Sequence, residues 1–184
     1  TSTNENPDFA KYGDNLTLSF STSEPIQDPT DNISIDGLTN ILVVGSVNKT
    51  EWTATGQVAS NATGMANYSI SVKDHAGNVA TPVTSTTSIN LDTDPPFLSE
   101  INLVSNNANN PDAFAKPGDN LTLSFNSSET LQTPVIILAD IASLNVMDTS
   151  INQDGTSWSG VHFVSSGNTN DNVTFSISYE DNAG

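Results

Sequence analysis

The sequence predicts an all-β protein built from two tandem antiparallel β-sandwich domains. Three observations support this prediction: a phrase that occurs twice, apolar residues that alternate with polar ones, and turn-forming residues between the alternating stretches. The phrase is KYGDNLTLSF at residues 11–20 and KPGDNLTLSF at residues 116–125, and nine of its ten residues match. The role of this stretch is therefore expected to occur twice in the chain.

The repeated phrase belongs to a longer internal repeat. Phe9 matches Phe114 at a spacing of 105 residues, and Trp52 matches Trp158 at 106. YSISVKDHAG at residues 68–77 matches FSISYEDNAG at residues 175–184 at a spacing of 107. A period of about 106 residues exceeds that of solenoid units and equals the size of a whole domain.

Short strands are predicted within each repeat because apolar residues recur at every second position. YGD, PGD, IDG and QDG are turn signals between them, and about seven such strands per repeat favour a two-sheet sandwich. The apolar runs ILVV (41–44) and VIIL (135–138) are expected to be central strands. The alternating residues expected to face the core are Leu16, Leu18 and Phe20, Tyr68, Ile70 and Val72, Leu121, Leu123 and Phe125, and Val173, Phe175, Ile177 and Tyr179.

Each repeat contains a single tryptophan, Trp52 or Trp158. A tryptophan can be a platform on which a sugar stacks, or it can fill a core. Because both occupy the same position of the repeat, core packing is the favoured interpretation. The other aromatic residues are also expected to fall mostly on buried faces.

A stiff acidic hinge, DTDPP at residues 92–96, predicts the boundary between domains 1–94 and 95–184. The first domain is expected to lack its first strand and the second its last, whose counterpart is expected at Val79–Leu91. Either the segment is part of a longer array, or a neighbouring subunit supplies strands to the open edges.

The phrases VKDHAGNVATPV and LDTDPPFL resemble the tandem bacterial immunoglobulin-like (Ig-like) repeats of large extracellular adhesins and fibrous surface proteins. The first phrase contains D-H-A-G-N at Asp74–Asn78, and D-N-A-G recurs at Asp181–Gly184. The resemblance implies an Ig-like fold, an extracellular or cell-surface location, and stiffening by Ca²⁺. The tentative Ca²⁺ ligands that it implies are Glu24, Asp74, Asp92, Asp94, Glu129 and Asp181.

Charge and composition narrow the function further. The formal net charge is −17, with four lysines, no arginine and no cysteine. Such a surface repels nucleic acid and attracts divalent cations. No apolar run approaches the roughly 18 residues that span a bilayer, so no membrane insertion of this segment is expected. The histidines, His75 and His162, are expected to be solvated. Without a convincing catalytic set, the protein is not expected to be an enzyme.

Asn-x-Ser/Thr sequons occur at eight positions, close to the number expected by chance from the composition. Five of them are predicted on outward faces of strands, where glycans would leave the core undisturbed. These glycosylation candidates are Asn15, Asn67, Asn120, Asn126 and Asn172.

Together these patterns predict a structural and interaction protein, part of an extracellular fibril, stalk or adhesin. Its expected partners are other copies or repeats of itself, with glycans as further candidates. The alternative is a carbohydrate-binding accessory module of a secreted enzyme, which would require exposed aromatic residues in a row on one face.

Overall fold

The computed structural model describes residues 1–85, 89–110, 114–138, 141–143, 145–149, 153–168 and 172–184. The chain forms two compact units, residues 1–94 with residues 183–184, and residues 95–182. The prediction of an all-β protein is confirmed, because the only helix in the described residues is a single 3₁₀ turn, Thr30–Asn32. The described residues include no helix long and apolar enough to cross a bilayer.

Nine short strands make up the described part of the first unit, in which Gly, Asn and Asp turns separate alternating stretches. In chain order they are β1 (Phe9–Ala10), β2 (Asn15–Ser21), β3 (Ile33–Ile35), β4 (Leu38–Gly45), β5 (Glu51–Val58), β6 (Gly64–Met65), β7 (Tyr68–Ile70), β8 (Val83–Ser85) and β9 (Asn90–Leu91).

Two antiparallel sheets, ordered β2-β5-β4 and β3-β7-β8, enclose the core of the first unit. Leu16 and Ala54 contribute from the first sheet, and Ile33 and Ile70 from the second. A small third sheet, β1-β9-β6, closes one side and contains the parallel pair β1–β9. Burial of one face of each sheet against the other defines a β-sandwich.

The second unit contains seven strands in its described residues. They are β10 (Leu98–Ser105), β11 (Asn120–Ser127), β12 (Val135–Leu138), β13 (Ile141–Ser143), β14 (Asn145–Asp148), β15 (Ser157–Phe163) and β16 (Phe175–Ser178). They form the antiparallel sheets β10-β11-β15-β14 and β13-β12-β16. Leu123, Phe125 and Trp158 from one sheet pack with Ile136 and Leu138 from the other.

The repeated phrase occupies the same place in both units. It becomes β2 in the first and β11 in the second, and each pairs antiparallel with a tryptophan-bearing strand. Phe20 faces Trp52 across β2 and β5, and Phe125 faces Trp158 across β11 and β15. The same cross-strand pair therefore lies at the same register in each sheet.

The structure differs from two of the strand predictions. The run 135–138 forms β12, which is central as predicted, but the run 41–44 lies in β4, an edge strand. Both alternate in burial, so that Leu42, Val44, Val135 and Ile137 are exposed. Each run is continuously apolar in the sequence because apolar residues also occupy the outer face of the strand. The predicted closing strand of the first unit consists of β8 and β9, and its residues 86–88 lie outside the described residues.

Candidate functional site

The Gly-Asp turn that opens the repeated phrase is held by one carboxylate in each unit. Oδ2 of Asp14 accepts the backbone N–H of Lys11 at 2.9 Å, and Oδ2 of Asp119 accepts that of Lys116 at 2.9 Å. Each oxygen also accepts an amide N–H, from Asn4 at 2.8 Å or from Asn107 at 2.7 Å. The turn is therefore closed by its own aspartate and tied to the preceding loop.

The hydrogen bonds to Asp119 stabilise its charged form. The backbone N–H of Lys116 and the side-chain amide of Asn107 lower the pKa of Asp119 below its ordinary value of 3.8. The Asp119 side chain is buried, at 8% exposure, so its charge is satisfied by these donors rather than by solvent. This arrangement stabilises a turn and leaves little capacity for chemistry.

The two tryptophans pack in the cores, as predicted. Trp52 is 3% exposed and Trp158 is 6% exposed. Each indole N–H donates to the carbonyl oxygen three residues earlier, to Lys49 at 3.2 Å and to Gly155 at 2.9 Å. Lys49 and Gly155 both have positive φ, at 57° and 71°, so the backbone conformation of the residue that offers this carbonyl recurs as well. Neither tryptophan can serve as a sugar platform.

The Asp-His-Ala-Gly-Asn turn of the first unit binds its own backbone. Oδ1 of Asp74 accepts the backbone N–H of Asn78 at 2.8 Å, and Oδ2 accepts its side-chain amide at 2.6 Å. These two hydrogen bonds lower the pKa of Asp74. The side-chain amide of Gln27 donates to the Asp74 carbonyl oxygen at 2.8 Å. Glu24, the other ligand predicted in this part of the first unit, is exposed.

The corresponding carboxylates of the second unit lie close together. A carboxylate oxygen of Glu129 lies within 4.8 Å of one of Asp181, and Asp181 is 7% exposed. The side-chain amide of Gln132 donates to the Asp181 carbonyl oxygen at 3.0 Å, as Gln27 does to Asp74. Two oxygens at this separation can both reach a hard cation, whose ligand distances are about 2.3–2.6 Å for Ca²⁺.

The remaining predicted ligands lie at the end of the first unit. Asp92 is half-buried and Asp94 is exposed, and the backbone N–H of Asp94 donates to Oδ1 of Asp92 at 3.4 Å. Within the second unit, Glu129 and Asp181 are acidic residues whose carboxylate oxygens could hold a metal ion. All six predicted ligands stay candidates, and the Asp74 carboxylate accepts the hydrogen bonds of its own turn.

The predicted glycosylation residues differ in the freedom of their amides. The Asn67 amide donates to Oδ2 of Asp36 at 3.3 Å, and its Oδ1 is buried. The Asn126 amide donates to Oε2 of Glu100 at 2.7 Å, while its Oδ1 accepts the Ser157 hydroxyl at 2.9 Å.

The other three glycosylation candidates differ in exposure. Asn15 and Asn172 are exposed and Asn120 is half-buried. A transferase needs the amide nitrogen presented to solvent, so Asn15 offers better access than Asn67 or Asn126 does.

Two expectations about side-chain exposure were wrong. Six of the twelve aromatic side chains are exposed, namely Tyr12, Phe97, Phe114, Phe163, Phe175 and Tyr179. His162 is half-buried on β15, and its Nε2 is buried without a hydrogen-bond partner among the described residues. His75 does lie in an exposed turn. Alternation alone predicts which face a residue takes, but not whether another strand covers that face.

One open depression of the described surface, of about 580 Å³ in the first unit, is mainly polar. It is lined by hydroxyl and amide side chains, including Ser34, Ser69 and Thr84 in one row across β3, β7 and β8. Asp36 and Asn67 lie at its side. No histidine or lysine lines it.

Sequence reasoning missed the amides that hold the turns. Gln27 and Gln132 each follow a Glu by three residues, and Asn4 and Asn107 each follow a Ser by two. In both units the N–H of this Asn also donates to that Ser hydroxyl, at 3.0 and 2.9 Å. Aligning the polar loop residues of the two repeats, and not only the apolar ones, would have found these pairs.

No protein-family model matches the chain, and no curated protein is significantly similar to it.

Proposed function

We propose that the protein is a non-enzymatic structural and interaction protein, with tandem Ig-like sandwiches forming part of an extracellular fibril, stalk or adhesin. The observation that carries this proposal is the duplication of the framework in side-chain detail. The aspartate-held turns, the tryptophan hydrogen bonds and the glutamine contacts all recur. Selection has thus kept what holds each unit together, as expected when the unit itself is the working part.

Absence of a recurring reactive group favours the same role. The described carboxylates of the turns accept hydrogen bonds from their own loops, and His75 and His162 occupy unrelated positions. General acid–base catalysis would need a titratable group aimed into a site that excludes water. A chain of net charge −17 would also remain soluble and dispersed until specific contacts join its units.

Electron microscopy of the native material tests the proposed assembly. Under this proposal, copies or repeats join end to end or by exchange of strands, and negative staining shows filaments or beaded rods at the cell surface. Dispersed single particles at all protein concentrations, with no surface-attached material, would contradict it.

Calcium is the proposed stiffening ligand, with Glu129 and Asp181 as its ligands in the second unit. Because two carboxylates with oxygens within 4.8 Å repel each other, a bound cation should relieve their repulsion. Adding millimolar Ca²⁺ should raise the Tm, and EGTA should reverse the rise. The double variant Glu129→Gln/Asp181→Asn should lose the response, while the control Asp31→Asn, at an exposed acidic residue, should keep it. A response unchanged in the double variant would remove the assignment.

A carbohydrate-binding module is the second candidate, favoured by apolar side chains on the outer face of β15. Phe163 is 60% exposed there, and Val161, two residues earlier, faces the same way. A sugar ring can stack on such an aromatic face. Glycan-array binding that Phe163→Ala abolishes would support this role, and binding that the buried-core variant Phe125→Ala alone removes would argue against it.

A further inference from the structure

One edge of strand β2 carries backbone groups without a strand beside them. The first three residues of the chain pair with the start of this edge. Thr1 and Thr17 exchange backbone hydrogen bonds at 2.8 and 2.9 Å, and the N–H of Thr3 donates to the carbonyl oxygen of Asn15 at 3.0 Å. Alternate residues of a strand direct their N–H and C=O groups to the same edge. Ser19 and Ser21 therefore present theirs to this edge, where the described residues place no partner strand.

The second unit shows what occupies this position when it is filled. There β10 runs antiparallel to β11, with Ser105 opposite Leu121, Leu103 opposite Leu123 and Asn102 opposite Ser124. Ser2 stands opposite Leu16 in the first unit, as Ser105 stands opposite Leu121. Thr1–Thr3 thus occupy the place of the end of β10 and of the first residue after it, in the same register.

Burial of the facing side chains differs accordingly. Leu123 and Phe125 are 0% and 2% exposed, and Leu98 and Leu103 of β10 pack against their cluster. Leu18 and Phe20, at the equivalent positions of β2, are only partly buried. An open edge beside half-covered apolar residues favours addition of a strand, because pairing satisfies the backbone groups and also buries apolar surface.

We propose that the Leu18–Ser21 edge of β2 is a strand-acceptor site. Its occupant is an extended segment of the β10 type that runs antiparallel to β2 in the register that Ser2 sets opposite Leu16. An apolar residue stands opposite Leu18, as Leu103 does opposite Leu123, and a residue with a free N–H stands opposite Ser19. This inference rests on the proposed modular assembly but concerns one edge only, so it can fail while the filament proposal stands.

A fusion tests the site on the full chain. A copy of residues 95–103 is placed directly before Thr1, which brings the copied Leu103 opposite Leu18 and the copied Asn102 opposite Ser19. Hydrogen exchange and thermal melting are then measured on the fused and the original chains. We expect the amide of Ser19 to exchange at least tenfold more slowly in the fusion, and the Tm of the first unit to rise.

The matched control carries proline in place of the copied Asn102. Proline lacks the N–H that would pair with Ser19, so both the protection and part of the Tm rise should be lost. Equal exchange of Ser19 in the original chain, the fusion and the control would overturn the proposal.

A second copy is the competing occupant, and the same samples exclude or reveal it. If the original chain dimerises through two β2 edges, Ser19 becomes protected with rising protein concentration, and the fusion adds nothing. That result would overturn the β10-type assignment. A monomeric original chain with an unprotected Ser19, combined with a protected Ser19 in the fusion, supports it.

Discussion

Strands β2 and β11 have nearly the same sequence, but they bury their apolar residues to different extents. Leu121, Leu123 and Phe125 are all buried, whereas of Leu16, Leu18 and Phe20 only the first is. The difference follows from the neighbour: β11 lies between β10 and β15, while β2 has β5 on one side and only Thr1–Thr3 on the other. Identical side chains are thus worth different amounts of stability according to the strand beside them.

The largest expected difference lies at the phenylalanine that faces the tryptophan. Phe125→Ala should destabilise the second unit by about 3–5 kcal/mol, the usual cost of removing a fully buried aromatic side chain. Phe20→Ala should cost clearly less in the first unit, because Phe20 is already partly hydrated. Urea unfolding followed by hydrogen exchange of peptides from each unit measures both. Equal costs would mean that the open edge of β2 is covered in solution.

A smaller effect is expected at the turn whose carbonyl accepts the indole N–H. Gly155→Ala should cost about 1–2 kcal/mol, because an alanine in the left-handed region is strained. The added Cβ would also lie 3.1 Å from Cγ2 of Thr130. Lys49 already has this conformation, so Lys49→Gly relieves strain but loses the cation–π contact with Trp52 at 5.0 Å. Its net change should stay within about 1 kcal/mol. The same unfolding assay compares the two variants.

The stability of the second unit should fall in acid through Asp119, the carboxylate that closes its turn. Because the folded-state pKa of Asp119 lies below 3.8, the unfolded chain binds more protons in this range. The stabilisation is therefore present above about pH 4 and is lost as the pH falls through the folded-state pKa. Asp119→Asn should lower the Tm at neutral pH and flatten its decline between about pH 4 and 2. An unchanged slope would assign the acid sensitivity to other carboxylates, such as Asp74.

Sequence patterns were sufficient for the all-β architecture and for the buried positions of β11. The alternation of Leu121, Leu123 and Phe125, together with the matched tryptophans, was enough to predict sheets packed on a core. The patterns could not predict exposure at Phe163 or burial at the ring of His162, because these depend on which strands lie beside β15.

The choice of metal ligands among the acidic residues stays a prediction, for a physical reason. Aspartate closes a turn and binds a cation with the same carboxylate, so spacing alone does not separate Asp74 from Asp181. The Asp74 carboxylate accepts the hydrogen bonds of its own turn, and a carboxylate oxygen of Asp181 lies near one of Glu129. The amide partners Asn4 and Asn107 were visible in the repeat but carry no apolar signal.

Backbone amide exchange at Ser19 and Ser124 tests most directly whether the two units share one framework and differ by a single neighbouring strand. These serines occupy the same position of the repeated phrase, and each pairs with a tryptophan-bearing strand on one side, but in the described residues only Ser124 has a strand on its other side, through Asn102. In the chain as it stands, the Ser124 amide should be protected at least tenfold more than the Ser19 amide, while Thr17, bonded to Thr1, should fall between them. Equal protection of Ser19 and Ser124 would contradict the account.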